Sequence, residues 1–130
     1  MGLYLMNYPL KQFDAPFPPS VNHYLGRNGK HSFLSPKAIK FNRDIYYLIL
    51  MNGLNKKYSI PIEVHYDIWF PDNRKRDIAN YEKVLTDALV KAGVMKDDHL
   101  VHKMIIQRMG IIKGGKVTIS ILPIRNLQPT

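Results

Sequence analysis

The chain has 130 residues, 45% hydrophobic and 22% charged, enough for one globular domain with its own core but not for two. Nineteen Lys and Arg against ten Asp and Glu leave a formal net charge of +9, a surplus that favours polyanionic partners, either nucleic acid or an anionic membrane surface. No apolar run approaches the roughly 20 residues that a bilayer span needs, and the lack of cysteine excludes disulfides, thiolate metal sites and thiol nucleophiles.

Residues 2–9 are short, apolar and aromatic, and suit a first strand. The opening Met-Gly-Leu-Tyr-Leu-Met lacks the cationic region and long apolar core of a signal peptide. Met6 stands where a myristoylation signal has Ser or Thr. A cytoplasmic protein that meets nucleic acid, without a membrane partner, is the expectation. Residues 13–22 hold three prolines, Pro16, Pro18 and Pro19, which fix φ and bias their predecessors to extended geometry. A stiff connector follows from that. Residues 23–31 mix His, Arg27, Lys30, aromatics and glycines, so the loop either embraces a phosphate or is an ordinary solvated loop.

Ser35-Pro36 opens a helix, with Ser35 as N-cap and Pro36 at the first helical position, where a missing N–H is harmless. Phe41, Ile45, Leu48 and Ile49 recur at helical spacing as far as Asn52-Gly53, a C-terminal stop. Across residues 60–70 the period changes to two, with Ile60, Ile62, Val64, Tyr66, Ile68 and Phe70 apolar between Glu63, His65 and Asp67. That is a strand with one buried face, and His65 reads as a surface residue. Pro71 ends it. The basic loop Asn73-Arg74-Lys75-Arg76 then leads to Asp77, where a second helix begins, with Ile78, Tyr81, Leu85, Ala88, Leu89 and Ala92 on one side and Gly93 as its stop. Residues 99–112 are rich in Val, Ile and Met. Lys113-Gly114-Gly115-Lys116 predicts a two-residue hairpin turn with positive φ, leading into a strand with Val117, Ile119 and Ile121 alternating. Residues 123–130 read as a frayed end.

The element order is therefore β-α-β-α-β-β in one α+β domain over residues 1–130, a mixed sheet packed with two main helices. Two strand–helix–strand units run parallel with right-handed crossovers, and the final hairpin adds an antiparallel pair.

Chemistry concentrates between Pro71 and Asp98. Three cations directly precede Asp77, and Asp97-Asp98 follow the second helix. Carboxylate oxygens suit hard ions such as Mg²⁺, which bridge to substrate phosphate and activate water for phosphodiester hydrolysis. Arg74, Lys75 and Arg76 suit flanking phosphates, and Lys83 suits charge that develops in a transition state. Bland readings stand beside these: Asp77 as a helix N-cap, Asp97-Asp98 as an acidic turn, Lys83 as a solvated face. A straight helix from Asp77 would put the loop after it about 24 Å away. The two acids then share a site only across a symmetric dimer or along a different chain path. No Walker loop, no Gly-x-Ser-x-Gly, no His-Glu-x-x-His and no strand-following Gly-x-Gly-x-x-Gly is present.

Three blocks carry a family resemblance: Pro18-Pro19-Ser20-Val21-Asn22-His23-Tyr24; Pro71-Asp72-Asn73-Arg74-Lys75-Arg76-Asp77-Ile78-Ala79-Asn80, continuing to Lys83; and Asp87-Ala88-Leu89 through Lys91-Ala92-Gly93 to Asp97-Asp98. Over about residues 18–121 the chain resembles the RusA family of Holliday junction resolvases. The resemblance implies a bacterial or phage-encoded homodimer that binds four-way junction DNA and nicks two strands symmetrically with Mg²⁺ or Mn²⁺. It implies that Asp77 and Asp98 are catalytic, metal-binding carboxylates and that Lys83 is the essential lysine. Arg74, Lys75, Arg76, Arg27 and Lys30 would then hold DNA. The family pattern Arg-Asp-(Leu/Ile)-Asp-Asn is broken at its second aspartate, which is Ala79 here. If residues 77–79 are extended, positions 77 and 79 share a face, and an aspartate at 79 would complete a carboxylate pair. The expectation is a protein that binds junctions but cleaves poorly or not at all. A non-catalytic branched-DNA-binding protein is the alternative, and an RNA or anionic-membrane binder a third.

Overall fold

The structure, a computed structural model, describes residues 11–28 and 31–124, with the side chains of all but Arg27, Asn28 and His31. The strand expected over residues 2–9, Lys30 and the tail over 125–130 lie outside the described residues. Strand β1 (Lys11–Ala15) leads through a proline-rich extended stretch into a 3₁₀ turn at Val21–His23. Within the stretch expected as a loop, Leu25–Asn28 instead forms β2, which pairs antiparallel with β3 (His31–Leu34) in a two-stranded ribbon. Helix α1 (Pro36–Met51), β4 (Ile62–Phe70), α2 (Glu82–Lys91), β5 (Val101–Ile111) and β6 (Lys116–Pro123) follow. No helix among the described residues is long and apolar enough to cross a membrane.

Strand β4 lies inside a four-stranded sheet of order β1-β6-β4-β5. Its period-two pattern explains the place: Ile62, Val64, Tyr66, Ile68 and Phe70 are all buried, the first four completely. They join one apolar cluster with Phe41, Ile45 and Ile49 of α1 and Val84, Leu85, Ala88 and Leu89 of α2. Tyr66 brings a hydroxyl into that core, and it pairs with Thr86 of α2 at 2.8 Å. On the opposite face His65 is partly exposed, as a surface residue of the strand, and pairs with Glu63 at 2.6 Å.

The two ends of β4 correct the predicted topology. Strand β5 runs parallel to β4 from Ile62↔Val101 to Phe70↔Ile111, as the β4-α2-β5 unit requires. Strand β6 pairs with β4 on its other side, antiparallel, so β5 and β6 are not a hairpin and have β4 between them. Residues 112–115 arch over the end of β4, where Ile112 N–H donates to the Phe70 carbonyl at 2.9 Å. Gly114 and Gly115 do take positive φ, 82° and 69°. A Cβ on Gly115 would meet the Phe17 side chain at 3.0 Å. A glycine pair records the backbone geometry of a reversal but not how many strands the reversal spans, about 4.8 Å each. Strand β1 is likewise separated from β4 by β6, with which it pairs antiparallel. Residue 123 also departs from the frayed end expected: Pro123 is the last residue of β6, and Ile124 N–H reaches the Pro61 carbonyl.

Helix α1 starts where its cap chemistry dictates. Ser35 Oγ accepts the Ala38 N–H at 3.1 Å and donates to the His23 carbonyl at 2.7 Å. Ser35→Ala removes both bonds and is expected to cost about 1–2 kcal/mol, read as a lower urea midpoint at unchanged m.

Helix α2 starts later than predicted. Residues Ile78–Asn80 form a separate 3₁₀ turn, and Tyr81, at φ −118° and ψ −23°, breaks the path before α2 begins at Glu82. The apolar stripe survives the break, with Ile78 packed against the core and Tyr81, Leu85, Ala88, Leu89 and Ala92 buried. Gly93 ends the helix at φ 90°. The chain then returns past residues 57–58, which bond Gly93, Val94 and Lys96, to a 3₁₀ turn at Asp98–Leu100.

Candidate functional site

The exit from β4 builds the first part of the site. Asp72, just after the strand-ending Pro71, accepts Arg74 Nε and Nη2 at 3.2 and 3.0 Å and Arg76 Nη1 and Nη2 at 2.6 and 3.3 Å. Phe17, Phe70 and Tyr81 form a three-ring cluster beneath, with centroids 5.3–5.6 Å apart. The Arg76 guanidinium lies over Phe17 and Phe70 at 5.9 and 5.7 Å, and that of Arg108 over Phe70 at 4.5 Å. Arg108 Nη2 also donates to the Arg76 carbonyl. Burial pushes the Tyr81 hydroxyl's pKa up, with Arg76 and Arg108 pulling the other way. The three cations expected to hold flanking phosphates therefore sit in three different environments. Arg76 is largely buried and anchored, Arg74 is exposed but tied to Asp72, and Lys75 has no ion-pair partner among the described residues.

These residues line one side of a cleft of about 960 Å³ that also holds Lys37, Arg108, Asp77 and Asn80. Ser20, Asn22 and His23 line it as well, so two sequence blocks some fifty residues apart meet across one recess. Asp77 occupies the N-cap position of the 3₁₀ turn, yet its carboxylate makes no capping bond. The bland reading of Asp77 as a helix cap therefore fails in its side chain. Ala79 is exposed inside the 3₁₀ turn. The extended geometry in which 77 and 79 share a face is not present. Three residues per 3₁₀ turn align Asp77 with Asn80 instead, and both line the cleft.

Lys83 and Asp98 meet in a second recess, of about 370 Å³, shared with Glu82, Thr86, His102 and Lys103. Lys83 Nζ lies 3.4 Å from Asp87 Oδ1 and 3.8 Å from Asp98 Oδ2. Asp87, and after it Asp98 and Glu82, raise the pKa of the lysine, which stays an ammonium. Asp97 is held below its ordinary value, first by hydrogen bonding with Asp98 and then by His99. The late start of α2 and the fold-back after Gly93 put Asp98 beside the first half of that helix. Asp77 and Asp98 line different recesses, as the expected separation along the helix requires of a site within one chain.

Side chains overlooked by the sequence reading include Asp72, Asp87, Lys37 and Arg108. Asp72 had a local signal, an acid two and four residues before Arg74 and Arg76; Asp87 had the i,i+4 spacing to Lys83. Lys37 and Arg108 reach the cleft only through the tertiary fold. Arg27 and Lys30 cannot be added to the cleft, since the side chain of the first and the whole of the second lie outside the described residues. Among the described residues no three His, Asp or Glu side chains group together, and Lys83 lies 3.8 Å from the Asp98 carboxylate.

Known proteins are similar to this chain in sequence along most of its length. The family model described as Endodeoxyribonuclease RusA matches residues 16–122. The crossover junction endodeoxyribonuclease rusA of Enterobacteria phage HK97 is 33% identical over 118 residues, covering 89% of this chain and 97% of that protein. That of Escherichia coli O139:H28 is 31% identical over 106 residues, covering 82% and 88%. That of Escherichia coli strain K12 is 30% identical over 111 residues, covering 85% and 92%. The matched span takes in both recesses and every strand from β2 to the first seven residues of β6, and so the chain belongs to the RusA family of endodeoxyribonucleases.

Proposed function

We propose that this chain is a structure-selective endonuclease of the divalent-metal-dependent kind, a homodimer that binds four-way DNA junctions and, with alanine at 79, nicks them poorly. The cleft carries the reading. Five cations, Lys37, Arg74, Lys75, Arg76 and Arg108, line a wide polar recess around one carboxylate, Asp77, that makes no capping bond. Such a recess suits phosphates on a nucleic-acid backbone. Lys37 and Lys75, without ion-pair partners among the described residues, take phosphates directly. Arg76 and Arg108, seated on Phe70, fix the loop that presents Arg74 and Lys75. Arg27 and Lys30 remain DNA-holding candidates from the sequence and the family resemblance alone. Lys83, kept charged by Asp87 and Asp98, offsets negative charge that develops on a leaving oxygen.

Asp77 and the Lys83–Asp98 pair lie in separate recesses of one chain, and a two-fold pair of chains supplies one centre for each of two symmetric nicks. Dependence on Mg²⁺ or Mn²⁺ is carried over from the family resemblance, and the incomplete donor set supports impaired cleavage. A non-catalytic branched-DNA binder is the second reading, favoured by that same missing donor. Both place the protein with DNA in the cytoplasm.

Binding to a four-way junction and to a linear duplex of equal length, without divalent metal, tests the shared part. The junction is expected to bind at least about tenfold tighter, with both affinities falling steeply as salt rises. Equal affinity for the two DNAs would overturn the assignment.

A further inference from the structure

Asp72 is bound as a phosphate would be. Its Oδ1 accepts the Arg74 backbone N–H at 3.0 Å, the turn that an aspartate makes with the backbone two residues on. Two guanidinium groups then converge on its two oxygens with four bonds of 2.6–3.3 Å. Paired forks on one anion are the geometry by which arginines hold phosphate. The bonds from Arg76, then those from Arg74, hold the Asp72 carboxyl well below the usual carboxylate range, so it is an anion throughout the neutral range.

The two arginines differ in how firmly the rest of the protein holds them. The Arg76 side chain is 16% exposed and lies against Phe17 and Phe70; that of Arg74 is 78% exposed. Exposed ion pairs of the Arg74 kind are weak and exchange readily with another anion. Both arginines line the cleft.

We propose that Asp72 is an internal stand-in for a DNA phosphate and a specificity-determining residue: it occupies the arginine forks in the free protein, and Arg74 transfers to the DNA backbone only when the DNA fills the cleft from more than one side. The inference rests on the reading of the chain as a junction-binding protein. A linear duplex that meets one flank of the cleft must compete with Asp72 for Arg74 and gains little else. A branched DNA that also reaches the Ser20–Asn22–Lys37 side has binding energy to spare for that exchange. Asp72 thus weakens binding to duplex more than binding to junction.

Affinities of the full chain, Asp72→Asn and Arg74→Ala for equal-length duplex and junction, without metal and across a salt series, test this. Asp72→Asn keeps the shape of the side chain and removes the competing charge. It is expected to tighten duplex binding about tenfold and junction binding less than about threefold. The duplex salt slope should steepen by about 1, the mark of one added phosphate contact. Arg74→Ala lies at an exposed position and does not depend on the core. It is expected to weaken junction binding about tenfold and duplex binding less than about twofold. A folded Asp72→Asn variant with the duplex affinity and slope of the parent overturns the proposal, as does Arg74→Ala weakening both DNAs equally. Should Asp72→Asn not fold, Arg74→Ala decides by itself. A parent protein without junction preference fails the underlying reading instead, and tighter duplex binding by Asp72→Asn would still support the phosphate stand-in.

Discussion

Ala79→Asp is expected to raise nicking of a synthetic four-way junction in Mg²⁺ by about 100-fold or more, the scale on which charged groups aimed at a reacting phosphate act. Two of the acidic positions that the family resemblance assigns are present, Asp77 and Asp98. The first makes no capping bond; the second is 3.8 Å from the Lys83 ammonium, which offsets part of its charge. Alanine brings no oxygen to the turn between them. Position 79 is exposed in a three-residue turn, so an aspartate there displaces no core side chain and changes stability little. A gain in cleavage would not be confounded with a gain in folding. A readout independent of activity goes with it: Mn²⁺ is expected to raise the melting temperature of Ala79→Asp more than that of the parent, because a carboxylate added to the turn beside Asp77 strengthens metal binding to the native state. Junction affinity without metal should stay within about threefold, since the DNA-holding cations are untouched. Equal robust cleavage by parent and variant would sink the idea that position 79 limits the chemistry. No gain in either cleavage or Mn²⁺ stabilisation would place the defect elsewhere.

The parts of this molecule that could be read from sequence are those fixed by local chemistry. Ser35-Pro36 and Asn52-Gly53 mark α1 because cap and stop are properties of a few adjacent residues, and the helix runs from Pro36 to Met51 as they require. The alternation in β4 was legible because a strand's period is set by the backbone alone. Ala79 stands out only against the family resemblance, which expects an aspartate at that position. Where contacts between distant residues decide the path, the sequence misled. Tyr81 breaks the second helix where its ring meets Phe17 and Phe70, and these three positions are not neighbours in the chain. Asp98 is brought beside Lys83 by the chain that folds back after Gly93, while Asp77 lines the other recess. The same holds for Gly114-Gly115, whose φ values were foreseen while the strand they bridge was not. The Arg74-Lys75-Arg76 run shows the third kind of failure. Three cations in a row look alike on paper, but one carboxylate and two rings give each a different environment.

Phe70→Ala is expected to be the most destabilising single change near the site, costing about 3–5 kcal/mol of a total on the order of 5–15. Phe70 is 1% exposed, ends β4, and has Phe17 and Tyr81 within ring-contact distance. Truncation leaves a cavity under both rings and removes the surface on which Arg76 and Arg108 lie. The main-chain bond from Ile112 to the Phe70 carbonyl does not depend on the side chain, so the strand end and the 112–115 arch should remain. Urea unfolding with a lower midpoint and an unchanged slope would record the loss as one of stability rather than of fold. Phe70→Leu separates packing from cation placement. It retains much of the apolar volume and should cost only about 1–2 kcal/mol, but it offers no π-face to either guanidinium. If the ring seats the cleft's cations, Phe70→Leu weakens junction binding by about tenfold at temperatures where it is fully folded. A well-folded Phe70→Leu protein with parental junction affinity would show that Asp72 and Phe17 suffice to position Arg76, and that the Phe70 ring serves the core and not the DNA.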